Sequence, residues 1–266
     1  MPDRMWIEWI RVSVGVLAVL ALAARAHAEE LDIGAWLPPG SYWLEMRVAA
    51  NARLPWFGHA ETLTTSTSRV EIDHEAGKLV QRHRVCAVRD EARTRWRGLT
   101  FPPALIEALP VTRVRPVLTA TGGGLAYQAD LGREWLGTAP AASLPRKPDD
   151  PQVLDSDGDG HPGVTLRLRL VAGDAELFVA QRTRAVLHGT VVSPGRVTGL
   201  VEMREFAQAI LAATPRFLRF TPDVRYDRER STFELARDGE VGCPVREARA
   251  QSVALNPSGA PAPALR

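Results

Sequence analysis

Cysteine is almost missing from this chain: Cys86 and Cys243 are the two it has in 266 residues. Neither belongs to a C-x-x-C pair, and two cysteines far apart in sequence give little support to a thiolate zinc site. A surplus of one charge is missing as well. Basic residues number 33 against 31 acidic ones, a formal charge of +2, which excludes a partner held mainly by electrostatics, nucleic acid above all. The apolar run from Val12 to Ala24 is thirteen residues long, short of the ~20 that cross a ~30 Å hydrocarbon core. Catalytic signatures are also lacking. G-x-S-x-G, H-E-x-x-H and S-x-x-K do not occur, and His59, His74, His83 and His188 are scattered among strands and turns rather than set at metal-ligand spacing. No repeat of 20–50 residues is detectable.

What is present is turn chemistry. With 21 glycines and 20 prolines between many short apolar runs, the composition favours strands and turns over long helices. The N-terminus carries an address. Arg4 and Arg11 precede the apolar run and Ala26-His27-Ala28 follows it, the small-x-small pattern that signal peptidase cuts, so residues 1–28 are expected to be removed on export to the periplasm or beyond. The mature chain is then not membrane-spanning. In an oxidising compartment Cys86 and Cys243 are expected to form a disulfide, which by loop entropy stabilises the fold by roughly 4–5 kcal/mol.

Along the mature chain the side-chain period is two. Tyr42, Leu44, Met46 and Val48 share one face of a strand, with Trp43, Glu45 and Arg47 on the other. Strands follow over 60–73 and 78–89, joined by a turn at His74 to Gly77. Pro103 opens a short helix that Pro110 stops. Gly122-Gly123-Gly124 is a hairpin turn and not a phosphate loop, because no helix with lysine and serine or threonine follows. Residues 137–163 read as an irregular connection. Val164, Leu166, Leu168 and Leu170 alternate with Thr165, Arg167 and Arg169, the clearest strand of the chain. Strands over 175–182, 185–192 and 196–203 continue a meander, and 206–213 is expected to add one or two helical turns. The tail 251–266, rich in alanine and proline, is expected to be disordered. The whole predicts one mainly β domain over 29–250, an antiparallel up-and-down barrel of the lipocalin-like kind or a sandwich, with about ten strands and one or two short helices.

One stretch carries specific chemistry. Asp155, Asp157 and Asp159 alternate ahead of Gly160, supplying hard oxygen donors followed by a residue free to turn sharply. The six residues from Asp155 to Gly160 resemble the calcium loops of EF-hands, dockerins and thrombospondin type 3 repeats. That resemblance implies calcium held by the three carboxylates, with the backbone carbonyl of His161 at the seventh position. Position twelve is Leu166, where an EF-hand has a bidentate glutamate. Asp149, Asp150 or water is expected to complete the shell of a weak structural site, with a dissociation constant of ~10⁻⁴–10⁻³ M.

The expected function is an exported, non-catalytic binding protein that holds an apolar or amphipathic small molecule, with Trp43, Trp56, Phe57 and Tyr127 as lining residues. The alternatives are a secreted hydrolase built on a carboxylate pair such as Glu202 and Glu205, and an envelope structural or interaction module.

Overall fold

The computed structural model describes residues 33–54, 58–92, 99–170, 173–237 and Cys243. The expected export signal, the tail 251–266 and the aromatic pair Trp56-Phe57 lie outside the described residues. Chain order runs α1 (Ile33–Trp36), β1 (Gly40–Leu54), β2 (Gly58–Glu75), β3 (Lys78–Ala92), β4 (Leu99–Thr100), α2 (Pro103–Ala108), β5 (Thr112–Val114), β6 (Val117–Thr121), β7 (Gly124–Leu136), β8 (Val164–Leu170), β9 (Gly173–Ser193), β10 (Arg196–Thr214) and β11 (Asp223–Arg237).

The eleven strands form one antiparallel sheet, ordered β4-β8-β9-β10-β11-β1-β2-β3-β5, with the β6–β7 hairpin joining at β9. It curls into a half-barrel. Local turn chemistry sets the hairpins. Between β2 and β3, Ala76 and Gly77 both have positive φ, 50° and 74°, the two-residue turn whose twist matches that of paired strands. The glycine triplet places Gly122 and Gly123 between Thr121 and Gly124, which pair.

Register explains where the core sits. Leu44, Leu235, Val197, Val191 and Leu125 stand opposite one another across β1, β11, β10, β9 and β7. Residues opposite in register share a face of the sheet, and all five are buried. Here β3 and β7 come together without backbone pairing: the Tyr127 hydroxyl donates to Gln81 Oε1 at 2.9 Å, and His83 Nε2 lies 3.0 Å from the same oxygen. A second packed region gathers Leu105 of α2, Val164, Leu166 and Leu168 of β8, Val179, Ile210 and Leu218. The sheet opens between the two regions. Pairing of β10 with β11 stops at Leu200 and Thr232, although β10 runs on to Thr214 and β11 starts at Asp223.

Two expectations need correcting. Residues 206–213 are strand, paired with β9 residue by residue from Phe206–Thr183 onward apart from a bulge at Ile210/Ala212. Phe206, Ile210 and Leu211 suit a helical stripe, but the long edge of β9 offers a continuous hydrogen-bond ladder, and tertiary pairing overrides a weak local preference. The separate strands expected at 175–182 and 185–192 are one strand of 21 residues, because nothing between them breaks the ladder.

Candidate functional site

Inward side chains from the long strands surround a cavity of about 670 Å³. From β1 come Leu44, Met46, Val48, Ala50 and Ala52, from β2 Thr62, Thr64, Ser66 and Ser68, from β10 Val201, Met203 and Phe206, and from β11 Val224 and Tyr226. A bulge between Met203 and Glu205 lets Met203 and Phe206 both face in although their spacing is three. In the middle of the strands the apolar wall is only half-buried: Met46, Val48, Val85, Val88, Met203 and Phe206 are neither packed nor fully exposed. Helix α2 borders the cavity through Leu105, Ile106 and Leu109 at its end. Leu105 fastens it into the second packed region.

Polar groups interrupt this wall. Asp90 accepts from the Thr64 hydroxyl at 2.8 Å and from the Leu99 amide at 3.3 Å, tying β4 to the β2–β3 pair. Burial raises its carboxyl above the usual range. Glu134 reaches solvent yet has protein on most sides, as a group projecting into a concavity does. Burial raises it too, against the hydrogen bond from Thr183. Tyr226 packs edge-on against Phe206 with ring centroids 5.3 Å apart, and burial pushes its hydroxyl far above the ordinary phenol range. His83 is 6% exposed, and burial lowers its pKa to about 4.

Two of the expected lining residues are placed elsewhere. Trp43 and Tyr127 are buried, but neither belongs to the cavity wall. Tyr127 closes the packed end through Gln81 and lies 6.0 Å from the Phe233 ring. Trp56 and Phe57 are outside the described residues. The wall residues that were missed are the small and aliphatic ones. Their signal was the period-two alternation itself, which marks a face without telling whether packing or open space lies before it.

The aspartate loop is folded by its own carboxylates. Asp155 Oδ1 accepts from the amides of Gly158 at 2.7 Å and Asp159 at 3.2 Å, and Oδ2 from Gly160 at 2.9 Å. These bonds, that from Gly160 foremost, hold the Asp155 carboxyl below its usual range. Asp159 Oδ1 accepts from the His161 amide at 2.9 Å. Asp157 Oδ2 accepts from the Thr165 amide at 2.9 Å, whereas its Oδ1 is buried without a partner. Burial, reinforced by the Asp159 charge, raises Asp157. One oxygen from each aspartate lies within 4.8 Å of the others, and oxygens up to about 5 Å apart can share an ion whose bonds are 2.3–2.6 Å long. The His161 ring stands over Phe178, centroids 4.7 Å apart. Asp149 and Asp150 are not part of the cluster.

The carboxylate pair considered for hydrolysis is engaged by basic side chains. Glu202 is 2.8 Å from His188 Nε2, and Glu205 is paired with Arg133 and Arg182; the hydrogen bond with His188 holds the Glu202 carboxyl low and the bond from Arg133 holds that of Glu205 low. Hydrolysis by two carboxylates uses one acid held protonated beside one ionised, whereas the carboxyls of Glu202 and Glu205 are shifted in the same direction, downward. Cys86 and Cys243 are joined, with Cα atoms 5.4 Å apart. No helix among the described residues is long and apolar enough to cross a membrane. No family model, curated protein or solved structure matches this chain.

Proposed function

We propose that the protein is an exported, non-catalytic carrier that holds one elongated amphipathic molecule against the concave face of its sheet. The observation that carries this reading is the half-buried apolar wall around a cavity of about 670 Å³, a volume typical of small-molecule sites. A core evolved only for stability closes such space, since each unfilled methyl-sized gap costs ~1 kcal/mol. The polar belt of Thr64, Asp90, Glu134 and Thr183 among aliphatic side chains suits a ligand with a hydrogen-bonding group on an apolar body. Calcium at Asp155, Asp157 and Asp159, in the manner of the aspartate loops this segment resembles, is the structural ion of the same reading.

The test is titration with the neutral fluorescent probe N-phenyl-1-naphthylamine, followed by displacement with long-chain alcohols and amines. Saturable binding at one site is expected, lost in Ser66→Trp and Ala185→Trp, which fill the cavity from opposite walls, while both variants keep a cooperative melt. A wild-type protein that does not bind the probe, or filled variants that bind it unchanged, would refute the carrier.

A further inference from the structure

Strand β9 serves two partners along one edge. Up to Val179 that edge pairs with β8, and from Gln181 onward with β7. The chain leaves β7 at Leu136 and returns as β8 at Val164, so residues 137–163 span a break in the cavity wall. Gly137 and Gly163 meet there. A Cβ on Gly137 would fall 2.3 Å from the Val179 carbonyl oxygen and 2.7 Å from Gly163 Cα, and one on Gly163 would fall 2.5 Å from the same oxygen. Their φ values, +66° and +90°, also suit glycine.

The aspartate loop is what holds this junction. The Leu154 amide donates to the Gly137 carbonyl at 3.2 Å and the Ser156 amide to the Gly163 carbonyl at 3.1 Å. The Gly137 amide donates to Ser156 Oγ at 3.1 Å. Asp157 completes the stitching by accepting from Thr165, the second residue of β8. Its other oxygen has no hydrogen-bond partner although the residue is only 9% exposed, and its carboxylate lies with those of Asp155 and Asp159. A buried carboxylate oxygen left unpaired is costly, and three neighbouring carboxylates repel one another. A cation removes both penalties together.

We infer that calcium bound by Asp155, Asp157 and Asp159 is a clamp on the β7–β8 junction, so that the ion governs how firmly the cavity wall is closed. This rests on the calcium reading above. One oxygen of Asp157 holds the ion and the other holds the start of β8, so an opening of the junction that frees Thr165 also releases the ion. Leu136 and Leu166, on either side of the break, both line the cavity. By linkage, a molecule that binds the closed wall tightens calcium by the same factor as calcium tightens it.

The experiment is calcium titration of the chelator-treated full chain by calorimetry, with amide hydrogen exchange read at 136–138 and 164–168 and the β2–β3 hairpin as internal reference. At calcium ten times its dissociation constant, exchange at the junction is expected to slow about tenfold, with the hairpin unchanged. Asp159→Ala is the key variant, because it removes one of the three oxygen ligands outright and leaves the Asp157–Thr165 bond in place. It is expected to abolish both the heat and the slowing while keeping a cooperative melt. Heat without slowing at the junction would overturn the clamp and leave the ion site standing. Absence of heat at millimolar calcium would overturn both. Probe binding to the cavity is measured separately, so failure of the carrier reading is distinguishable from either.

Discussion

His83 shows how a single side chain is set by its place in the fold. Its ring is almost fully buried beside Gln81 Oε1, where a charged imidazolium would lose its hydration. Burial therefore depresses its pKa from 6.5 to about 4. Between those values the unfolded chain binds a proton that the folded protein refuses, so stability falls as pH drops through this window and levels off below it. The loss expected from this residue is about 3 kcal/mol. Urea unfolding at pH 7 and at pH 4 checks it: His83→Leu should lose about that much less than wild type across the interval, and parallel losses would disprove the assignment. Sequence showed a histidine in a strand. It could not show that the strand's inner face meets Tyr127, which lies far along the chain.

At the scale of elements, α2 is a helix of six residues, too short to persist alone in water. Pro103 sits at its first position, where the missing amide hydrogen costs nothing. Its stability comes from Leu105, 2% exposed and packed with Leu166, Leu168 and Leu218. Leu105→Ala is expected to cost about 3 kcal/mol, the middle of the range for such truncations, measured as a lower urea midpoint. A change under about 0.5 kcal/mol would mean that the helix rests on the sheet without being part of its core. The short helix was legible because prolines bracket it. The strand over 206–213 was not, because alanine, phenylalanine, isoleucine and leucine fit either period locally and only the presence of β9 decides between them.

At the scale of the molecule, the disulfide joins β3 to a residue 157 positions later. Most of the strands lie within the loop it closes, so its removal enlarges the unfolded ensemble of nearly the whole sheet. Cys86→Ser with Cys243→Ser is expected to lower stability by roughly 2–5 kcal/mol. The check is chemical unfolding under conditions where the wild type stays oxidised, and equal stabilities would show that the bond only restrains the end of the chain. The half-barrel and its cavity also belong to this scale. The inward faces of β1, β2 and β10 could be read from alternation, but the cavity exists because β10 and β11 part beyond Leu200 and Thr232, and no local pattern marks that point.

By itself the sequence determined the class of fold, the hairpins at Ala76-Gly77 and Gly122-Gly123, the two cysteines available to pair and the three aspartates that gather. Apart from the cysteines, each depends on neighbours within a few residues: a period of two, a glycine able to take positive φ, carboxylates spaced to turn about a common centre. Only the tertiary structure decided that β9 exchanges β8 for β7 along one edge, that Gly137 and Gly163 must therefore meet at Val179, and that Asp157 is tied to the start of β8. Only it decided which inward faces meet one another and which face open space. Such facts depend on contacts between residues far apart in the chain, where register and curvature of the whole sheet determine what a side chain touches.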